Sequence, residues 1–175
     1  MQPAYQRGFA PLLLLWRGIG AFVARHPRYH RLFGTVSISA DHHATSVALM
    51  LDHLATHCLA DELAPFVRSR QPWRGDAAAP ARSWQPQQIA DLHEVSSLVR
   101  ELETGRNGVP VLMEQYLKLG ARLLGSNQDP DFHTVDALVL VDLLRAPAHL
   151  QTRYLGAEGA ERLRRCHAEP PSSVA

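Results

Sequence analysis

A short segment near the start of the chain has the composition of an anion-binding junction. It consists of Gln6, Arg7, Gly8, Phe9 and Ala10. Pro11 follows and suits the first turn of a helix, because the N–H that proline lacks would be unpaired there. Free backbone N–H groups and the positive end of a helix dipole attract phosphate. The segment therefore fits the phosphate of an acyl donor, such as coenzyme A or a phosphopantetheine arm. The alternative is that Gly8 only serves a turn.

A second group of candidate residues lies in the C-terminal half, at Tyr116, Lys118 and Arg122. A tyrosine can protonate a leaving thiolate, and the two cations can bind a phosphate or a carboxylate. The same residues also fit the ordinary end of an amphipathic helix, where cations are favourable. Ser37 and Ser39, on a predicted strand, are candidate nucleophiles; alternatively they hydrogen-bond locally or face a ligand cleft.

Other catalytic motifs are missing from the sequence. None of the histidines has an aspartate five residues later, so the His-x4-Asp pair used by one class of acyltransferases is not encoded. A serine-hydrolase elbow, a P-loop and a dinucleotide fingerprint are absent too. The pairs His42-His43 and His53-x3-His57 have no obvious third ligand. We expect neither a metal site nor a tightly bound cofactor.

The charge is unevenly distributed along the chain. The net charge is +1, so nothing overall demands a nucleic-acid partner. However, five arginines precede the first acidic residue, Asp41: Arg7, Arg17, Arg25, Arg28 and Arg31. Such a segment suits phosphate groups or an anionic membrane surface, and it equally fits a solvated arginine-rich face.

Hydropathy and cysteine content predict the compartment. The longest apolar run, Gly8 to Trp16, is far shorter than the roughly 20 residues of a membrane-spanning helix. Arginines follow it at once and no clean cleavage site appears, which disfavours a signal peptide. The only two cysteines, Cys58 and Cys166, form neither a metal-type pair nor a disulfide framework, which fits a reducing compartment. We therefore expect a cytoplasmic protein, with peripheral contact at the inner face of the membrane as an option.

Apolar periodicity predicts the elements that must position these residues. We expect helices from Pro11 to about His26, Thr45 to Leu59, Ile89 to Leu102, Val109 to Leu119 and Ala148 to Leu155. We expect strands at Leu32–Ser39 and Val135–Leu144, a strand or turn at Leu123–Leu124, and a turn over Asn127–Asp131. This order predicts an α/β layered sheet.

The predicted organisation is a core over 1–67, a flexible Pro- and Gly-containing linker over 68–88, completing helices and strands over 89–165, and a disordered tail over 166–175.

Several stretches, taken in order, resemble the C-terminal portion of the hemolysin-like and ornithine-lipid N-acyltransferase family. They are residues 2–20, His26–Tyr29, Leu32–Ser39, 108–125, Asp129–Phe132 and Val135–Leu143. The resemblance covers nearly the whole chain except 68–88. It implies a GNAT-like fold (that of acyl-CoA N-acyltransferases), a mixed sheet flanked by helices. It also implies transfer of a fatty acyl group from acyl carrier protein or acyl-CoA to an amine such as ornithine, in aminolipid synthesis.

The resemblance implies that Gln6 to Ala10 correspond to the acyl-donor phosphate loop. The chemistry of the other candidates gives their roles: Tyr116 and Ser37 are the candidate catalytic residues, and Ser39, Lys118 and Arg122 are the candidate substrate-binding residues. The sequence departs from the family at Gly8, where a serine is usual, and at Thr35, where a proline is usual. Ala40–His43 also replaces an Asn/Asp-Tyr motif, which removes a tyrosine.

The family's strands before the phosphate loop do not occur in this sequence. A GNAT-type site lies where two central parallel strands splay apart, and one of these should precede Met1. We therefore expect a sheet that lacks its N-terminal strands, and little acyl transfer by these 175 residues alone. The alternative is a non-catalytic remnant, or a peripheral membrane- or partner-binding domain, with the same fold.

Overall fold

The computed structural model describes residues 9–75, 84–89, 91–103 and 108–168, and within these ranges the chain forms five helices and three strands. The helices are α1 (Phe9–Arg25), α2 (Ala44–His57), α3 (Leu92–Leu102), α4 (Val111–Lys118) and α5 (Ala148–Ala168). The strands are β1 (Arg31–Ser39), β2 (Arg122–Asp129) and β3 (Thr134–Asp142). The predicted α/β class is confirmed, and most predicted elements are found within a few residues of their expected ends.

The sheet has the strand order β1-β3-β2. Strands β2 and β3 are antiparallel, with Asn127 opposite Asp136. Strand β1 also runs antiparallel to β3, since the Ala40 N–H just after β1 donates to the His133 carbonyl just before β3 at 2.8 Å. All three described strands are therefore paired antiparallel. An isolated parallel bridge joins Leu59 to Leu123.

Strand β3 explains why one face of the sheet is covered and the other is open. Val135, Ala137 and Val139 are buried, whereas the alternating Asp136 and Leu138 are half-exposed. Because successive side chains of a strand point to opposite faces, the apolar set lies against the core and the other set lies on the open face. We call this second surface the open face of the sheet.

The chain divides into two compact units. Residues 1–32 and 142–175 form one, here called the helical unit, and residues 33–141 form the other, here called the sheet unit. Helices α2 and α3 pack together in the sheet unit, and α1 and α5 pack together in the helical unit. Of the residues in α1 and α5, Val23 and Leu163 are fully buried.

Close approach of α1 and α5 depends on two glycines. A methyl group at Gly159 would lie 2.7 Å from the Cβ atom of Ala24. One at Gly20 would overlap with the backbone carbonyl of Tyr154. Protein interiors are close-packed, so neither position has room for a larger residue unless the backbone moves.

Helix α5 is longer than the sequence predicts. The predicted helix over Ala148–Leu155 is found, and the chain then passes through Gly156 in a non-helical conformation (φ 75°, ψ 164°). The helical stretch that follows Gly156 and continues to Ala168 was not predicted. Glycine adopts a positive φ without steric penalty, so it breaks the helix without ending it. The buried residues Ala160 and Leu163 hold the second half in place. Residues 166–168 of the predicted tail are therefore helical, and 169–175 lie outside the described residues.

The predicted turn over Asn127–Asp131 begins later than expected. Strand β2 continues to Asp129, whose Oδ1 atom accepts hydrogen bonds from the N–H groups of Asp131 and Phe132 at 3.0 and 3.1 Å. An aspartate that binds backbone N–H groups two and three residues on forms a turn by itself. The prediction of a turn was right in kind, and its start was wrong by three residues, since the turn begins at Pro130.

Part of the predicted 68–88 linker lies beside the sheet. The Gln71 carbonyl accepts a hydrogen bond from the N–H group of Gln128 on β2 at 2.7 Å. Pro86–Gln88 forms a short 3-10 turn, and Ile89 after it is buried. Residues 76–83 lie outside the described part of the chain, so the domain boundaries stay a prediction. Among the helices that the structure describes, none has both the length and the apolarity needed to span a membrane.

Candidate functional site

A cleft of about 290 Å³ lies on the open face of the sheet unit. One wall is the segment Val67–Arg70, and the other comprises Gly125–Asn127 on β2 with Asp136 and Leu138 on β3. Thr35 on β1 completes the lining. The cleft therefore combines backbone and side chains from all three strands with a segment that the sequence predicted to be a linker.

The wall formed by Val67–Arg70 is attached to the sheet through Asn127. The Oδ1 atom of Asn127 accepts hydrogen bonds from the Ser69 hydroxyl and from the Gln71 N–H group, each at 2.8 Å. Its Nδ2 atom donates to the Gln128 carbonyl at 2.9 Å. A single amide side chain thus fixes the segment at two points, which holds Arg68 and Arg70 beside the strands.

The charges of the cleft are mixed. Arg68 and Arg70 contribute two exposed guanidinium groups from one wall. Asp136 contributes a carboxylate from β3, and its Oδ1 atom accepts a hydrogen bond from the Thr134 hydroxyl at 3.1 Å. Leu138 supplies apolar surface close by. Such a cleft complements a small molecule that carries an acid, an amine and a short aliphatic part.

The candidate nucleophile Ser37 lies two residues beyond Thr35 and is exposed. It therefore points to the same side of β1 as Thr35, but it is not among the residues that line the described cleft. Ser39 is engaged locally, since its hydroxyl donates to Asp41 Oδ2 at 3.1 Å and accepts from the Asp41 N–H group at 3.2 Å. This local hydrogen bonding is the alternative that the sequence left open.

The candidates Tyr116, Lys118 and Arg122 are divided between a helix and a strand. Tyr116 is half-buried on α4, and burial raises the pKa of its hydroxyl. Lys118 is exposed at the end of α4, and a turn through Gly120 (φ 81°) leads to Arg122 at the start of β2. The cleft lining includes none of the three.

Arg122 has a structural partner. Its Nε and Nη2 atoms donate to the Leu59 carbonyl at 3.0 and 2.6 Å. This pair of bonds holds the segment that follows α2 against β2, beside the parallel bridge between Leu59 and Leu123. Two of the three guanidinium nitrogens of Arg122 are therefore engaged in hydrogen bonds to the backbone.

The predicted phosphate loop falls mostly outside the described residues. Gln6, Arg7 and Gly8 are not described, and Phe9 and Ala10 already belong to α1. The interpretation of this segment as an acyl-donor phosphate loop stays a prediction.

A buried carboxylate, Glu103, supports the start of helix α2. Its Oε1 atom accepts a hydrogen bond from the His43 N–H group at 2.7 Å. Burial opposes ionisation, but Ser46, the His43 N–H group and the nearby histidines outweigh it and lower the pKa of Glu103. The Ser46 hydroxyl lies close enough to favour the carboxylate, although its geometry falls short of a hydrogen bond. The contact resembles a helix cap supplied from a distant part of the chain.

His53 and His57, candidate metal ligands in the sequence, contact each other and the backbone of the chain. His53 is buried, its Nδ1–H group donates to the Ile89 carbonyl at 3.1 Å, and burial lowers its pKa. The rings of His53 and His57 lie 5.1 Å apart between centroids. Within the described ranges, no group of three or more His, Cys, Asp or Glu residues is arranged to hold a metal ion.

The helical unit contains a histidine–aspartate pair that the sequence did not indicate. The His30 Nδ1–H group donates to Asp142 Oδ1 at 2.9 Å, and Arg31 Nε lies 3.4 Å from Oδ2. Burial opposes ionisation of Asp142, but these partners and the Leu144 N–H group outweigh it and lower its pKa. The rings of His30 and His167 form an edge contact, with 4.3 Å between their centroids and 66° between their planes.

Comparison with known proteins identifies no relative. No protein-family model, curated protein or solved structure matches this chain. The likeness to the hemolysin-like N-acyltransferases therefore stays a resemblance noted in the sequence, and the functional argument depends on the cleft itself.

The residues of the cleft were largely missed by sequence reasoning. Arg68, Ser69 and Arg70 fell in the predicted linker, and Asn127 fell in the predicted turn. The available signal was Asp136, a charged residue between the apolar residues Val135 and Ala137 of a strand. Alternation alone places that carboxylate on the face opposite the core.

Proposed function

We propose that this chain is an N-acyltransferase domain of the GNAT-like type. In this proposal it transfers a fatty acyl group from acyl carrier protein or acyl-CoA to an amine such as that of ornithine. The observation that carries the proposal is the cleft on the open face of the sheet unit, where two arginines and one aspartate surround an apolar wall. The proposed setting is the cytoplasm, with peripheral contact at the inner face of the membrane as an option.

The mixed charge of the cleft suits an amino-acid acceptor. A guanidinium group binds a carboxylate through two parallel hydrogen bonds, so Arg68 and Arg70 are the proposed partners of the acceptor's carboxylate. Asp136 is the proposed partner of its ammonium group. Val67 and Leu138 are the proposed contacts for its methylene groups.

The proposed reaction is aminolysis of a thioester. The acceptor amine first loses a proton, for which the proposed acceptor is Asp136, the carboxylate in the lining of the described cleft. The amine nitrogen then attacks the thioester carbonyl carbon, the C–S bond breaks, and the thiolate takes up a proton. Tyr116 is the proton donor proposed from the sequence, and the burial that raises its pKa keeps the phenol protonated.

Binding of ornithine to the purified chain tests the proposed acceptor site. Calorimetric titration should detect ornithine and should give weaker binding for putrescine, which lacks the carboxylate, and for valerate, which lacks the amines. Arg70→Gln should weaken ornithine binding roughly tenfold, because a charge-assisted contact is lost. Arg74→Gln is the matched control, since Arg74 is exposed in the same segment and does not line the cleft. Failure of the wild-type chain to bind ornithine would refute the proposal.

Acyl transfer is tested separately from binding. With acyl carrier protein or coenzyme A carrying a fatty acyl group, the proposed activity releases free thiol only when ornithine is present. An Asp136→Asn variant should lose this release and keep its fold by circular dichroism. Because the sequence predicts little acyl transfer by these 175 residues alone, weak thiol release above that of the Asp136→Asn variant supports catalysis, whereas release equal to that of the variant supports a non-catalytic domain.

That second candidate function has one observation in its favour. Neither Ser37 nor Tyr116 lines the cleft in the part of the chain that the structure describes. A partner- or membrane-binding domain with the same fold would not need these two candidate catalytic residues to lie in the cleft. Capture of the acyl carrier protein by the chain without turnover would agree with this alternative.

A further inference from the structure

The helical unit carries a strong positive charge. Residues 1–32 and 142–175 contain ten arginines and four acidic residues, a net charge of +6. Residues 33–141 contain eight basic and thirteen acidic residues, a net charge of −5. The nearly neutral chain therefore has two oppositely charged units, and a field of this size favours anionic partners for the helical unit.

Three of these arginines line one groove. Where α1 packs against the second half of α5, a cleft of about 360 Å³ is lined by Arg25, Arg162 and Arg165 with Ala24, Pro27 and Cys166. A second cleft of about 380 Å³ shares Ala24, Arg25 and Arg162 with the first and extends along α5 to Gly156. The two clefts therefore form one continuous groove along α1 and α5. Their combined volume is large enough for more than one phosphate-sized group.

The cations of the groove are only partly neutralised. Arg162 forms an ion pair with Glu158 at 2.6 Å. In the described residues, neither Arg25 nor Arg165 has an ion-pair partner within bonding distance, and the first cleft has no acidic residue in its lining. Like charges held on two packed helices repel each other, and a bound anion would remove that repulsion.

We propose that this groove binds a phosphate group. Arginine is the residue best matched to phosphate, because its planar guanidinium offers parallel hydrogen bonds to two oxygens. The ligand is either a soluble phosphoester or pyrophosphate, or the phosphate of a lipid headgroup. The site lies in the helical unit and does not depend on the acceptor cleft of the sheet unit.

Protection of Cys166 tests the proposal at the groove itself. Cys166 is exposed and lines the cleft, whereas Cys58 lies in the sheet unit and serves as an internal control. Pyrophosphate should slow the alkylation of Cys166 by neutral iodoacetamide, measured by mass spectrometry, and should leave Cys58 unchanged. Equal slowing at both cysteines, or none at Cys166, would overturn the proposed site for soluble anions.

Two matched double variants distinguish a site from general charge attraction. Arg25→Gln with Arg165→Gln should lower the pyrophosphate affinity of the full chain about tenfold or more. Arg17→Gln with Arg153→Gln removes the same charge from exposed positions of α1 and α5 outside the groove and should change it less than about twofold. Equal losses in the two variants would contradict a specific site. Thermal unfolding of each variant checks that the helical unit still folds.

Vesicle flotation identifies the source of the phosphate. Retention on phosphatidylglycerol vesicles and not on phosphatidylcholine vesicles, lost in the groove variant and blocked by pyrophosphate, would assign a lipid headgroup. Pyrophosphate binding without vesicle retention would assign a soluble phosphoester. A wild-type chain that binds neither pyrophosphate nor phosphatidylglycerol vesicles would overturn the inference.

Discussion

Asn127 and Ser69, which are 58 residues apart in the sequence, are joined by a hydrogen bond of 2.8 Å from the serine hydroxyl to the amide oxygen. The same oxygen also accepts the Gln71 N–H group. This contact makes the wall of the proposed acceptor cleft, because Arg68 and Arg70 lie on either side of Ser69.

Asn127→Ala should detach this wall. The variant loses the acceptor for two hydrogen bonds, and we expect the free energy of unfolding to fall by about 1–2 kcal/mol. Hydrogen exchange of the Gln71 N–H group, followed by mass spectrometry, should become faster. Asn127→Asp is the matched control, since a carboxylate oxygen accepts the same two bonds. Unchanged Gln71 exchange in Asn127→Ala would contradict the positioning role.

The pair of Asp142 and His30 should make stability depend on pH in the acid range. The pKa of Asp142 is lowered in the folded chain, so its contribution is fully present above the ordinary aspartate value of 3.8. That contribution is lost as the pH falls below this value and through the folded-state pKa. Urea unfolding between pH 2 and pH 5, a range chosen to bracket roughly the ordinary aspartate pKa, should give a flatter profile for Asp142→Asn. Glu161→Gln, at an exposed ion pair of α5, should leave the profile close to that of the wild type.

The buried His53 should give a second dependence at higher pH. Its pKa is lowered by burial, so below the ordinary value of 6.5 the unfolded chain binds a proton that the folded chain resists. Stability should therefore fall as the pH drops from 7.5 toward the folded-state pKa, values chosen to start roughly one unit above the ordinary pKa. His53→Asn should remove this slope while retaining a donor near the Ile89 carbonyl. His26→Asn, at an exposed position, is the control, and an unchanged slope in His53→Asn would refute the assignment.

Two glycines of α1 should respond in opposite ways to alanine. Gly20→Ala places a methyl group against the backbone of Tyr154, and we expect a loss of about 1–3 kcal/mol from overpacking. A methyl group at Gly18 would meet no atom within 4 Å apart from its chain neighbours and the backbone of its own helix, so Gly18→Ala should stabilise the chain by about 0.5–1 kcal/mol through helix propensity. Thermal unfolding of both variants measures the difference. Equal effects would show that α1 and α5 do not pack as described.

Much of the local structure was predictable from the sequence. Helices α1 to α4 and strands β1 and β3 appear near their expected positions, because apolar periodicity reports which side of an element faces the core. The residues of the cleft were harder to predict. Arg68 and Ser69 lie in a stretch, 68–88, that carries three prolines and one glycine, a composition typical of a linker. Nothing local indicates that Asn127 holds it.

The sequence by itself determined the alternating burial of β3, the helical character of α1, and the concentration of arginine near the start of the chain. Each of these features depends on residues that are close to one another in the sequence. The tertiary structure alone decided that Asn127 binds Ser69, that His30 meets Asp142, and that Arg25 and Arg165 share a groove. Such contacts depend on the path of the chain between distant segments, and local periodicity does not encode that path.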